Sequence, residues 1–142
     1  MECLIYNNVK KNIFGPKKIE KLALLILKEL KTDGQLSVHL IADKKMKKLN
    51  LLYRDKDKTT DILSFASENF FKKEKVLGDI FISVPQIKKQ AKKYLVSEKE
   101  EFARILVHGI LHLIGFDHLE KKEADKMFKT QEKILTKILC LV

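Results

Sequence analysis

Apolar residues recur along this chain with two periods, about 2 and about 3.6 residues, and the switches between them mark out its elements. Leu4-Ile5-Tyr6 is a short apolar run and reads as a first strand. From Pro16 the spacing lengthens. Ile19, Leu22, Ala23, Ile26 and Leu30 share one face of a helix predicted over 17–31, with Pro16 where a helix start tolerates it. Thr32-Asp33-Gly34 is a turn, and 36–42 alternates as a second strand containing His39. Asp43 is placed to cap a second helix over 44–53, with Met46, Leu49 and Tyr53 on one side. After a polar loop, Arg54 to Asp61, Ile62-Leu63-Ser64-Phe65 resumes as a strand. Residues 67–75 read as loop, 76–83 as a fourth strand, and Ser83-Val84-Pro85 opens a helix to about residue 94. Ser97 and Glu100 have the spacing of a capping box. The helix they open carries Phe102, Ile105, Leu106 and Leu113 and is apolar over most of its circumference, so it is expected to be buried. The last helix, 120–139, is amphipathic, with Met127, Phe128, Gln131, Ile134 and Ile138 on its inner side. This order of elements predicts one α+β domain spanning 1–142, a small mixed sheet covered on one side by helices.

Composition narrows the class. At 142 residues, 45% hydrophobic and 34% charged, the chain can bury a core and is not a disordered polyelectrolyte. The apolar run Leu22 to Leu27 is far too short to span a bilayer, and Met1-Glu2-Cys3 does not open a signal peptide. Cys3 and Cys140 stand at opposite ends with no CxxC, which fits a reducing compartment and argues against cysteine ligands. The expectation is a cytoplasmic protein with no membrane contact. A net charge of +10 favours a polyanionic partner, but the lysines are spread throughout and a Lys-rich proteome gives the same count. Only Arg54 and Arg104 are arginine. In a chain that otherwise uses Lys, each raises the question of what needs a planar, bidentate fork.

The chemistry concentrates in Val107 to His118, which holds three of the four histidines. His108 and His112, four apart, fall on one face of a helix. Gly115 can end that helix, and His118 follows where a returning chain can meet the other two. Three imidazoles with a fourth position open suit zinc, although nickel or copper also accepts this ligand set. The spacing matches the metzincin pattern HExxHxxGxxH with one difference. Position 109 is Gly, where a metallopeptidase keeps its general base Glu. His39, alone in a strand, reads as a packed or surface residue.

Three stretches together resemble the bacterial YbeY family of zinc-dependent endoribonucleases. They are His108-Gly109-Ile110-Leu111-His112-Leu113-Ile114-Gly115-Phe116-Asp117-His118, then Asn50 through Phe65, and Gly78-Asp79-Ile80 with Ile82-Ser83. The resemblance runs nearly the full length, to Met127 and Glu132. It implies that His108, His112 and His118 hold one Zn²⁺, that Arg54 is the catalytic arginine, and that the fold is a single α+β domain. It further implies single-stranded RNA as substrate, a role in maturing the 3′ end of 16S ribosomal RNA and in ribosome quality control, and the ribosome or its proteins as partners. The chain departs from the family at Thr59 and Ala66, where proline is usual, and at Phe116, where tyrosine is common.

The mechanism these residues support is metal-assisted RNA cleavage, with Arg54 gripping the scissile phosphate. Asp61 and Asp117 are candidates for the general base beside a zinc-bound hydroxide, and Asp79 reads as structural. Two other readings stand beside it. One is a metallopeptidase, which Gly109 opposes. The other is an RNA- or ribosome-binding protein with a structural zinc, which would need a fourth ligand such as Asp117 or Glu120.

Overall fold

The computed structural model describes residues 1–68, 75–116 and 120–141. The elements follow the expected order: β1 (Glu2–Asn7), α1 (Pro16–Glu29), β2 (Gln35–Ile41), α2 (Asp43–Arg54), β3 (Ile62–Ala66), β4 (Val76–Ser83), α3 (Val84–Tyr94), α4 (Glu98–Leu113) and α5 (Lys121–Leu139). The sheet order is β1-β2-β4-β3. β1, β2 and β4 run parallel, while β3 pairs antiparallel with β4 and forms an edge. The sheet is therefore mixed, as expected for an α+β fold.

Alternation along the strands sorts side chains to two faces. Leu36, Val38 and Leu40 of β2 and Ile80 and Ile82 of β4 face the main core. α1 and α4 fill that side, and α5 packs on α4 and α1. α4 is the deepest element: Phe102, Ala103, Leu106, Val107, Ile110 and Leu111 are inaccessible to solvent. Its expected burial is met.

The expectation that helices lie on one side only is corrected. α2 lies on the opposite face, where Met46 and Leu49 pack with Ile41, Leu63, Phe65 and Phe81. The reason is topological. A right-handed crossover fixes α1 between the parallel strands β1 and β2. α2 leads instead into the antiparallel edge strand β3, and that rule does not bind it.

Three local expectations change as well. Asp43 does not cap α2: Ala42 occupies the cap position, and no side-chain cap bond is made there. Tyr53 and Phe128, expected on inner faces, are 61% and 62% exposed. Met127 takes the inward place beside Phe128. At α4 the capping box is half made. Ser97 Oγ accepts from the Glu100 backbone N–H at 3.0 Å, but the Glu100 carboxylate turns to Arg104.

Candidate active site

The helix period puts His108 and His112 on one face of α4, and their Nε2 atoms meet at 3.1 Å. His108 Nδ1 lies 2.8 Å from Gln131 Oε1 on α5. An amide oxygen only accepts, so Nδ1 carries the hydrogen in this contact and donates it. The amide orientation is itself supported, because Gln131 Nε2 donates to Glu132 Oε2 at 3.2 Å. In the neutral imidazole this leaves the lone pair on His108 Nε2, the atom turned toward His112. Tetrahedral bonds of about 2.0–2.1 Å set two nitrogen ligands about 3.3 Å apart, so the observed separation fits a shared metal ion. Among the described residues no group of three or more metal-ligating side chains comes together. The third expected ligand, His118, lies outside the described residues, as does Asp117. Glu120 is the cap residue of α5 and exposed.

Gly109 sits between the two histidines with its missing side chain aimed at the sheet. A Cβ there would stand 2.5 Å from Ile62 Cδ1 and 3.3 Å from both Ile80 Cδ1 and Ser64 Oγ. Ser64 Oγ uses this closeness to donate to the Gly109 carbonyl at 3.3 Å. Glycine is thus what lets α4 approach β3. The Glu of a metallopeptidase would be driven into apolar packing, where an unpaired carboxylate is costly.

Gly115 ends the helix as expected. With Ile114 as C-cap, the Gly115 N–H reaches the His112 carbonyl at 3.1 Å and the Phe116 N–H reaches the Leu111 carbonyl at 3.0 Å. That is the Schellman pattern, and Gly115 adopts a φ of 103° to make it. The chain therefore leaves the helix within one turn of His112.

Across from the histidines, β3 and the loop before it form the other wall of a cleft of about 470 Å³. Arg54, Asp61, Ser64 and Phe65 line it together with His108 and His112. The sequence places Arg54 and the two histidines more than fifty residues apart; the fold brings them to one cavity. Among the described residues, no hydrogen bond or ion pair engages Arg54. Arg104 is the opposite case. It is held by Glu100, Glu101 and Glu132 at 3.1–3.3 Å and ties α4 to α5. Asp61 lines the cleft with its carboxylate held by Gln90 Nε2 at 3.2 Å and Thr60 Oγ1 at 3.2 Å. Asp79, read as structural, accepts from His39 at 2.9 Å.

Arg54 ends α2, and the loop that follows it is fastened by Asp43. Its Oδ1 accepts from Ser83 Oγ at 2.7 Å and from Thr59 Oγ1 at 2.8 Å, and its Oδ2 from Gln86 Nε2 at 2.8 Å. Burial works to raise the Asp43 pKa, but these three hydrogen bonds outweigh it and hold the carboxyl below its usual value. Thr59, which stands where proline is usual in the family, thus restrains the loop by a hydrogen bond. Gln131, Ser64 and Asp43 are the residues that sequence reasoning missed in these roles. Gln131 left a signal, an amide on the inner face of an amphipathic helix, and Asp43 left one that pointed to a helix cap instead.

The fold and site agree with what this chain is similar to. The profile of the family described as Endoribonuclease YbeY matches residues 4–139. The Endoribonuclease YbeY of Aquifex aeolicus is 41% identical over 132 residues, 92% of this chain and 88% of that protein. That of Phytoplasma australiense is 37% identical over 141 residues, 97% and 96% of the two chains. A solution structure of a Thermotoga maritima protein superposes with a TM-score of 0.67 at 29% identity, covering 94% of this chain and 86% of that one. The family match at 4–139 spans the α4 histidines, the β3 wall and α5 alike, and the chain belongs to the Endoribonuclease YbeY family.

Proposed function

We propose that this chain, acting through 1–142 as one unit, is a zinc-dependent endoribonuclease that cuts single-stranded RNA in the cytoplasm, with ribosomal RNA as substrate and the ribosome as partner. The observation that carries this reading is the pairing of two kinds of group in one cleft. Two imidazoles converge through Nε2, and an arginine with no intramolecular partner among the described residues faces the same space. His108, His112 and His118 would hold the ion. Bound zinc supplies Lewis-acid chemistry, polarising a phosphoryl oxygen and acidifying water.

The chain's own residues do the rest. The Arg54 guanidinium presents a planar fork that matches two phosphate oxygens and offsets charge developing on them. Gln131 keeps the His108 proton on Nδ1. Asp61 stands in the cleft wall as an acceptor for a proton. Charge on this wall is limited to few groups, so the arginine is the residue an incoming phosphodiester meets. A peptidase reading is disfavoured by Gly109, whose surroundings leave no room for the base that chemistry needs.

The test is cleavage of an end-labelled single-stranded RNA by protein stripped of metal and then restored with one equivalent of zinc. Cleavage is expected to vanish on stripping, to return with zinc, and to be absent in His112→Ala. Arg54→Glu is expected to abolish cleavage while metal content stays unchanged. Full activity in the stripped protein, or in Arg54→Glu, would overturn the assignment.

A further inference from the structure

The face of the sheet that α1 and α4 do not cover carries a row of aromatic rings. Tyr6 of β1 stacks on His39 of β2 at 4.7 Å between centroids, with 12° between planes. His39 stacks on Phe81 of β4 at 4.2 Å and 10°. The row then turns edge-on, from Phe81 to Phe65 of β3 at 5.8 Å and from Phe65 to Tyr53 of α2 at 5.1 Å. Register explains the alignment. Tyr6 pairs with His39 and His39 with Phe81, so the three rings stand side by side at the strand spacing. The row crosses all four strands.

Its centre and its ends differ. Phe81 and Phe65 are partly covered by Met46 and Leu49, and packing accounts for them. Packing does not account for the ends. Tyr6 is 46% exposed on the edge strand β1, and among the described residues no ring covers its outer side. Tyr53 is 61% exposed, beside Leu52 at 72%.

Two further observations say what would lie there. The first is charge. α2, which borders the row, carries four lysines and Arg54 against one acid, Asp43. Lys10 and Lys11 follow β1 a few residues beyond Tyr6. The second is continuity around the β3 edge. Phe65, whose ring stands in the row on the face opposite to Ser64, also borders the cleft that holds Arg54, His108 and His112. Aromatic rings bordered by lysines on a path that leads to a phosphate-gripping arginine match the needs of a flexible, unpaired polynucleotide. Duplex RNA, whose bases are already stacked on each other, could not use them.

We propose that the two open ends of the row, Tyr53 and Tyr6, are stacking sites for the bases of single-stranded RNA whose backbone passes through the Arg54 cleft. A base stacks on the open side of Tyr6 and another on Tyr53, with the α2 lysines along the backbone. This rests on the RNA-cleaving reading above, and it adds a preference for substrates long enough to reach Tyr6.

The test uses zinc-loaded full-length protein and a single-stranded RNA of about a dozen nucleotides. Tyr6→Ala is expected to raise KM about tenfold, the effect of losing one stacked base, with kcat and zinc content unchanged. Tyr6→Phe keeps the ring and is expected to behave as wild type. Tyr6→Leu keeps the strand apolar and is expected to fail like Tyr6→Ala, which separates loss of stacking from loss of fold. The chain has three tyrosines and no tryptophan, so tyrosine emission reads the site directly. The same RNA is expected to quench it, and the quenching to shrink in Tyr6→Phe. An unchanged KM in both Tyr6→Ala and Tyr6→Leu, in a protein that cleaves, would overturn the stacking surface and leave the nuclease intact. Should the wild type fail to cleave, the nuclease reading falls, and the emission decides alone. Quenching by single strands but not by duplex would uphold the surface, and its absence would end it.

Discussion

His108 is useful as a ligand only if its Nε2 lone pair is turned toward His112, and Gln131 is the residue that turns it. Removing that acceptor frees the ring to take the other tautomer or to rotate. Gln131→Met is expected to weaken zinc binding by about 10–100-fold, measured by competition with a chromogenic chelator, whereas Gln131→Glu, which still accepts, retains most of it. Gly109 gives a second test at the same scale. A methyl at this position meets Ile62, Ile80 and Ser64 at once. Overpacking costs about 1–3 kcal/mol, against a helix-propensity gain of up to about 1 kcal/mol, so Gly109→Ala is expected to lower the midpoint of urea unfolding. Gly109→Glu restores the metzincin pattern in sequence and is expected to confer no peptidase activity on a casein substrate. At this scale the histidine pair was legible, because both residues belong to one helix and one period. Gln131 was not, since the contact that gives it a role joins positions 23 residues apart on different helices.

At the scale of elements, the polar spacing that marked Asp43 as a cap was right about its carboxylate having work to do and wrong about where. The group joins the start of α2, the Thr59 loop and the start of α3. Its pKa is lowered in the folded state, so the stability it contributes is fully present above the ordinary carboxyl value of about 3.9 and is lost as pH falls from there through the lowered native value. Asp43→Asn is expected to cost about 1–2 kcal/mol at neutral pH, toward the low end because the carboxylate is partly solvated. The gap to wild type should narrow as pH drops below about 4, and chemical denaturation followed by circular dichroism at several pH values reads this directly. Element order and type were legible throughout, since the periods of Ile19 to Leu30 and of Phe102 to Leu113 are strong. The face taken by α2 was not. Nothing in residues 44–53 distinguishes one side of a sheet from the other, and the choice depends on β3 being an antiparallel edge.

For the whole molecule, the formal charge of +10 is spread over a surface whose described helices include none long and apolar enough to cross a membrane. Much of that charge is free to release counterions when RNA binds. Affinity for a single strand is expected to fall linearly in log–log form with salt, with a slope of about −0.7 per phosphate contacted. Arg54→Gln should make that slope shallower by close to one contact, and filter binding across a salt series measures both. The mixed α+β class and the burial of α4 could be foreseen from patterning, because both follow from which positions are apolar. The cleft could not, because its two walls come from α4 and β3 and meet only when the sheet order is known.

β3 pairs on one side only, and the cleft runs along it. An unpaired strand edge is a template on which another chain can lay itself, a hazard that proteins blunt with charge and with short strands. Here the strand is five residues long, and a guanidinium shares the groove beside it. The opening that the proposed function assigns to a polyanion is thus also the place where a stray β-strand would dock. The positive charge that welcomes the first repels basic chains of the molecule's own kind. Under the proposed function, gripping of the substrate and resistance to self-association would fall to the same arginine.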